Sequence, residues 1–97
     1  MDDSLRPHRN VYTTFTSQGT MLLDTRGRGR WFALTPTGGC FWYLLSQGAL
    51  PSEASRRIAR RYGVDPRRVR EDMEALTEQL RQHGLVSSPQ ERRWRPW

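Results

Sequence analysis

The sequence predicts an α+β fold in which a three-stranded antiparallel sheet is followed by three helices. Through the first third of the chain, short runs rich in β-branched and aromatic residues alternate with glycine-containing turns, a pattern typical of strands. The predicted strands are residues 11–16, 20–25 and 28–34. From Thr35–Pro36 onward, the apolar residues change to the spacing of helices. With 97 residues, the chain is expected to form one small domain.

Each of the three predicted helices begins at a proline, a residue that the first helical position accommodates. Thr35 and Asp65 are expected to cap helices 1 and 3 through their side-chain oxygens. Leu50 has no such oxygen and makes a poor cap for helix 2. The pair Gly38–Gly39 lies in the first turn of helix 1, which indicates that this helix packs closely on the sheet.

The composition limits the class of partner and the compartment. The formal net charge is +6, and the 16 lysine-plus-arginine residues are all arginine. Guanidinium groups bind carboxylates and phosphates, so this charge favours an acidic partner. The single cysteine, Cys40, excludes an internal disulfide and indicates a cytoplasmic protein. No apolar run approaches the ~20 residues needed to span a bilayer, so we expect no membrane segment.

The sequence contains no recognisable set of catalytic side chains. His8 falls in the N-terminal segment, His83 at the end of helix 3, and Cys40 among apolar residues of helix 1, where we expect it in the core. The cysteine and histidines do not have the spacing of a zinc site. We therefore expect a protein that is not an enzyme and that carries no metal or cofactor.

Helix 2, the turn at residues 63–65 and helix 3 have the order of a helix-turn-helix, so a winged-helix-type DNA-binding regulator is the alternative function. The basic residues of this region are Arg56, Arg57, Arg60, Arg61, Arg67, Arg68 and Arg70. Acidic residues interleave helix 3, where they would repel phosphates. The predicted hairpin also precedes the helices, whereas a wing follows them. Both observations disfavour nucleic acid as the partner.

The ends of the chain differ in composition from its middle. Residues 1–9 have mixed charges and no periodicity, so we expect a flexible tail there. Residues 88–97 are polar and rich in arginine and tryptophan, and we expect a disordered tail. The predicted domain therefore spans residues 10–87.

Four short motifs carry a resemblance to a known family. They are Leu22-Leu23-Asp24, Gly29-Arg30-Trp31-Phe32-Ala33-Leu34, Thr35-Pro36-Thr37-Gly38 and Tyr62-Gly63-Val64-Asp65. In this order and spacing, residues 11–86 resemble the PqqD-like fold, or RiPP recognition element, in its stand-alone form from lasso-peptide gene clusters. The chain departs mildly from the family at Trp31 (often Tyr) and Thr35 (often Asn), and also at Leu50 (usually Ser or Thr).

The resemblance implies a winged-helix-like domain that binds the leader segment of a ribosomally synthesised precursor peptide without catalysis. In such domains the leader adds as a strand to the edge of the third strand and lies in a groove against helix 3. The lasso systems further imply a separate cysteine-type leader peptidase as partner, followed by an ATP-dependent macrolactam-forming cyclase. A subunit that docks only on its enzyme is a third interpretation.

The third predicted strand has the character that strand addition requires. Residues 31–34 are apolar and lack proline, although exposed strand edges are normally protected by charge or proline. Phe32 and Leu34 share one face and are expected in the core, while Trp31 and Ala33 share the other. Arg28 and Arg30 suit an acidic leader.

Helix 3 supplies the other side of the predicted groove. Val69, Met73, Leu76 and Leu80 form one apolar stripe, whose members belong either to the core or to the floor of the groove. Asp72 lies beside the stripe and could accept a hydrogen bond from a leader Tyr or Lys. The predicted peptide-binding residues are Arg28, Arg30, Trp31, Phe32, Ala33, Leu34, Val69, Asp72, Met73 and Leu76.

Overall fold

A computed structural model describes residues 4–88 of the chain. The elements are β1 (Arg6–Pro7), β2 (Val11–Thr16), β3 (Gly19–Asp24), β4 (Arg30–Leu34), α1 (Pro36–Ser46), α2 (Pro51–Tyr62), α3 (Pro66–Gln82) and β5 (Val86–Ser87). Strands β2, β3 and β4 form an antiparallel sheet in that order, and β1 pairs antiparallel with β5. The predicted α+β fold, with a three-stranded sheet followed by three helices, is confirmed.

The helix starts follow the capping pattern of the sequence. Gly38 N donates to Thr35 Oγ1 at 3.0 Å, and Arg67 N donates to Asp65 Oδ1 at 3.0 Å. Leu50 offers no side-chain acceptor at the start of α2, but Glu53 Oε1 accepts from Leu50 N at 3.2 Å. The Glu53 carboxylate, one turn into the helix, therefore accepts the hydrogen bond of the Leu50 N–H. It supplies one half of a capping box, although Leu50 has no side-chain acceptor to supply the other.

The N-terminal segment differs from the expected flexible tail over residues 1–9. Leu5 is only 3% exposed, and Arg6–Pro7 pair with Val86–Ser87. His8 N donates to Leu85 O at 2.8 Å, which extends this contact between the two ends. Residues 5–8 therefore belong to the folded domain, because a buried leucine and a two-residue strand are held there by distant partners. Residues 1–3, and residues 89–97 of the predicted C-terminal tail, lie outside the described residues.

One face of the sheet packs against α1. Leu22 of the central strand is fully buried, and Phe41 and Leu45 of α1 are buried with it in the core. Trp42 Nε1 donates to Thr13 Oγ1 at 2.9 Å, which fixes α1 to β2. A Cβ on Gly39 would collide with the side chain of Thr20. The close packing that the glycine pair predicts is thus present at Gly39.

A buried carboxylate connects the sheet to the end of α3. Asp24 is 1% exposed, and its oxygens accept from Arg26 Nε at 2.9 Å and from Arg30 Nη2 at 2.8 Å. The same arginines donate to Gly84 O at 2.8 Å and to His83 O at 3.0 Å. Hydrogen bonds from Arg26, and secondly from Arg30, hold the pKa of the Asp24 carboxyl well below its ordinary value.

We predict that Asp24→Asn lowers stability at neutral pH and weakens the response to acid. Because the folded-state pKa is depressed, the contribution of Asp24 is complete above its unfolded pKa of roughly 4 and is lost as pH falls toward the folded value. Urea midpoints measured between pH 7 and pH 2 should show the two proteins converging below about pH 4. Asp72→Asn removes the same charge from an exposed site and serves as the control. A constant difference between parent and Asp24→Asn across that range would contradict the assignment.

The tight approach of α1 to β3 gives a second prediction. Gly39→Ala should lower the free energy of unfolding by about 1–3 kcal/mol, since the new methyl group overpacks against Thr20. Gly38→Ala is the matched control, because its nearest contacts would be 3.3 Å to Thr35 Oγ1 and 3.4 Å to Leu76 Cδ2. We expect that variant to stay within about 1 kcal/mol of the parent in urea denaturation, as helix propensity offsets the tight contact. Equal effects at the two positions would rule out the packing argument.

Candidate functional site

Strand β4 is an edge of the sheet, and its outward backbone groups can be assigned. Thr25 N donates to Asn10 O at 3.1 Å, so odd-numbered residues along β3 bond toward β2 and even-numbered ones toward β4. In β4, therefore, Arg30, Phe32 and Leu34 bond to β3. The N–H and C=O groups of Trp31 and Ala33 face away from the sheet, where the described residues provide no further strand.

Helix α3 runs beside this edge, and half-buried apolar side chains lie between the two elements. At one end, the rings of Phe32 and His83 are 4.9 Å apart. At the other, Leu76 Cδ2 and Leu34 Cβ lie 3.4 and 3.6 Å from the point where a Cβ on Gly38 would sit. We call this region the β4–α3 groove and define it by Phe32, Leu34, Gly38, Leu76 and His83. It offers an apolar surface directly alongside the unpaired edge.

The predicted stripe on α3 divides between core and groove. Val69 and Met73 are each 5% exposed and Leu80 is 2% exposed, so these three belong to the core. Leu76 is half-buried and reaches the groove. Asp72 is exposed one turn before it. The structure thus brings Leu76 to the edge of β4 and withdraws Val69 and Met73 from it.

The two arginines at the start of β4 have different surroundings. Arg30 bonds to Asp24 and His83, and its guanidinium carbon lies 5.2 Å from the centre of the Phe32 ring. Because these contacts hold its side chain within the protein, Arg30 forms the His83 end of the β4–α3 groove and has a structural role there. Arg28 is exposed in the turn before β4 and has no ion pair within residues 4–88.

Trp31 and Ala33 direct their side chains to the outer face of the sheet, away from α3. The strand register aligns Tyr12, Leu23 and Trp31 in one row across this face. Tyr12 and Trp31 are each 63% exposed. Tyr12 and Leu23 were missed in the sequence analysis as part of a surface, although both alternate along their strands with less exposed neighbours, the pattern of a sheet with one outward face.

A cleft of about 350 Å³ lies beyond the Leu34 end of the edge. Three half-exposed aromatic rings line it: Phe15 from β2, Tyr43 from α1 and Tyr62 from α2. Phe15 and Tyr43 meet edge to face with centroids 6.0 Å apart. Cys40, expected in the core, is half-buried and lines this cleft. The cleft was not predicted, because its rings come from three elements that no local pattern connects.

The described residues contain no group of three or more His, Cys, Asp or Glu side chains arranged to hold a metal ion. Among the helices of residues 4–88, none has the length and apolar character needed to cross a membrane. What the site does offer is backbone hydrogen-bonding groups beside an apolar surface, an arrangement suited to binding an extended chain.

Comparison with solved structures identifies two close likenesses. TbiB1 in complex with the TbiA(beta) leader peptide is similar with a TM-score of 0.76 and 26% sequence identity, over 84% of this chain and 94% of that chain. A lasso peptide synthetase B1 complexed with the leader peptide has the same fold, with a TM-score of 0.76 and 24% identity, over 87% of this chain and 98% of that chain. No curated protein matches the sequence.

A family comparison covers most of the domain. The family Coenzyme PQQ synthesis protein D (PqqD) matches residues 19–86, from the start of β3 to β5. This match and the two structural likenesses confirm the PqqD-like resemblance that the four sequence motifs indicate. Because the matched region is well over half of the chain, this protein belongs to the PqqD family.

Proposed function

We propose that this protein binds the leader segment of a ribosomally synthesised precursor peptide as a strand added to the edge of β4, beside α3. The observation that carries the proposal is the unpaired backbone of Trp31 and Ala33 next to the β4–α3 groove. The likeness to TbiB1, whose structure contains a leader peptide, supports the same reading. The binding itself requires no catalytic group.

Under this proposal, the backbone and the side chains of the site have separate tasks. Main-chain hydrogen bonds from Trp31 and Ala33 supply affinity that is independent of the leader sequence. Side chains of an added strand alternate between two faces. One set would contact Phe32, Leu34 and Leu76 in the groove, and the other would extend the outer face beyond Ala33. The leader should therefore carry apolar residues at every second position along the paired segment.

Charge adds to this selectivity. The net charge of +6 favours an acidic leader. Arg28 is the better placed of the two arginines, because Arg30 is already bonded to Asp24 and His83. Acidic leader residues are therefore expected beside the turn that precedes β4.

We infer the wider role from the resemblance to the recognition elements of lasso-peptide systems. A leader held along β4 is presented to a separate cysteine-type peptidase in lasso peptide maturation, with the macrolactam-forming cyclase acting afterwards. Under this proposal, both partners share the cytoplasm with this protein. The protein's contribution is to hold the peptide in one extended conformation, which lowers the entropy that a peptidase must otherwise remove on binding.

We predict that Ala33→Pro abolishes leader binding while the domain stays folded. The Ala33 amide faces the free edge, so proline removes a donor to the leader without removing a bond to β3. The probe is a fluorescein-labelled synthetic leader of the precursor encoded beside this gene, followed by fluorescence polarisation. Ala33→Ser keeps the amide and should bind like the parent, and Phe15→Pro places proline on the opposite edge strand.

An unchanged affinity of a folded Ala33→Pro variant would exclude addition at β4. An equal loss in Phe15→Pro would point to general damage to the sheet. Circular dichroism and thermal unfolding of each variant separate the two cases.

A second prediction concerns the groove. Leu76→Ser should weaken leader binding by about 1–2 kcal/mol, or roughly 5- to 30-fold in Kd, because it removes half-buried apolar surface beside Leu34. Ala75→Ser is the control, since Ala75 is exposed on a different side of α3. Similar affinities for the two variants would remove Leu76 from the binding surface.

A further inference from the structure

The cleft lined by Phe15, Tyr43 and Tyr62, which we call the aromatic cleft, has no part in the proposed leader binding. Its volume is about 350 Å³. Ligand pockets range over roughly 300–1,000 Å³, so the cleft lies at the lower end of that range. Gly19 and Gly39 also line it. Because a glycine has no side chain, these two positions leave the space between the rings open.

The three rings of the aromatic cleft are strongly exposed. Phe15 is 56%, Tyr43 is 48% and Tyr62 is 46% exposed, and they make up half of the six large hydrophobic side chains that are exposed within residues 4–88. Single exposed apolar residues are common, whereas several gathered at one recess mark an interaction site. Tyrosine and arginine are also among the residues that contribute most to the affinity of protein–protein interfaces.

The border of the aromatic cleft is basic. The guanidinium carbon of Arg61 lies 5.9 Å from the centre of the Tyr62 ring, so this charge lies next to one of the three rings. Arg57 is exposed one turn earlier on the same side of α2. Neither arginine forms an ion pair within residues 4–88, and no acidic side chain among them lines the cleft. A partner with a carboxylate beside an apolar side chain therefore complements both the rings and the charge.

The position of the aromatic cleft relates it to the edge of β4. Thr20, which lines the cleft, pairs with Leu34 at the end of β4, and Pro36 lines the cleft two residues further on. A leader strand paired with β4 would leave the domain beside the cleft at one of its ends. The cleft itself would stay available to a second molecule, which would lie next to the leader where it leaves β4.

We infer that the aromatic cleft is the docking site for the leader peptidase, which inserts an apolar side chain between the rings and pairs a neighbouring carboxylate with Arg61. The identity of the partner rests on the proposed function, and its chemistry rests on the cleft. The leader and the peptidase use separate surfaces, so the protein holds both at once. Docking at the cleft brings the peptidase to the leader without competition for β4.

The test measures binding of the full chain to the purified leader peptidase encoded beside this gene, by biolayer interferometry without precursor. Tyr43→Ser should raise the Kd about tenfold or more, because it removes one ring of the recess. Arg61→Gln should raise it about threefold to tenfold and weaken its dependence on sodium chloride, since one charge contact is lost. Absence of binding to the parent, or equal Kd values for the parent and both variants, would overturn the inference.

Matched controls separate the aromatic cleft from surface charge and from exposed rings elsewhere. Arg60→Gln removes the same charge from the next position of α2, which lines a recess shared with Pro66 of α3. Tyr12→Ser removes a ring that is 63% exposed on the outer face of the sheet. Each control should change the Kd for the peptidase less than about twofold, as expected outside the contact. Losses as large as those of the cleft variants would overturn the inference.

Cys40 gives a readout within the aromatic cleft. It lines the cleft, is half-buried and is the single cysteine of the chain. Alkylation of Cys40 by iodoacetamide is followed by mass spectrometry of the peptide that contains it. Bound peptidase should slow this reaction about fivefold or more, because it restricts access to the thiol. An unchanged rate in the complex would overturn the inference.

Leader binding, measured on the same variants, keeps this inference distinct from the proposed function. Tyr43→Ser and Arg61→Gln should bind the fluorescein-labelled leader like the parent. A chain that binds the peptidase through the cleft but does not bind the leader supports the docking site and overturns leader binding. A chain that binds the leader but not the peptidase does the reverse. Loss of leader binding in the cleft variants would assign the cleft to the leader and overturn peptidase docking.

Single-stranded nucleic acid provides the remaining arm, because unpaired bases also stack on aromatic rings beside arginines. Affinity for a labelled single-stranded oligonucleotide that falls in Tyr43→Ser but not in Tyr12→Ser would overturn the assignment to a protein partner. Absence of such affinity supports it.

Discussion

The buried carboxylate of Asp24 is the interaction on which the geometry of the candidate site depends. Its two arginine partners reach from the sheet to the carbonyls at the end of α3, so the distance between β4 and α3 is set at that end by side chains rather than by direct helix–sheet packing. At the other end, Gly38 and Gly39 let α1 approach β3 and bring Leu76 close to Leu34. The Asp24–arginine hydrogen bonds at one end and the small-residue contact at the other together hold α3 beside an edge that it does not cover.

An uncovered strand edge creates a risk of aggregation, and other features of the chain limit that risk. Free strand edges promote pairing between molecules. Here β4 has only five residues, it begins with Arg30 and follows Arg28, and α3 borders it on one side. The high net positive charge also disfavours association of identical chains. These features reduce pairing with a second copy of the protein and are compatible with the proposed addition of an acidic leader strand.

Local chemistry made most of the fold predictable. The caps at Thr35 and Asp65, the prolines that begin the helices and the glycine turns between strands act over a few residues, so they can be read from the sequence. The β1–β5 pair could not be predicted, because two-residue strands have no periodicity and the partners of Arg6–Pro7 lie some eighty positions away along the chain. The same limit applied to Arg30, whose partner Asp24 and whose contact at His83 are brought together only by the folded sheet.

The stripe on α3 illustrates a different limit. Helical spacing identifies which residues share a face, but it does not show how deeply each of them is buried. Val69 and Met73 are buried in the core, whereas Leu76, at nearly the same angle on the helix as Val69, is only partly buried against it. How deeply each side chain is buried depends on where the neighbouring helices and strands end. Core and groove residues with the same spacing therefore become distinguishable only once the layers are assembled.

The outer row of Tyr12, Leu23 and Trp31 has a consequence for how the protein is recognised by others. That row ends at β4 when the edge is empty. A peptide strand paired with β4 would extend this row with side chains of its own. The outer face would then be formed by residues of both the protein and the peptide. A partner protein that packs on this face would contact the peptide only when the edge is occupied, so it could distinguish the bound form from the free form. The same sheet would then bind the peptide and report its presence.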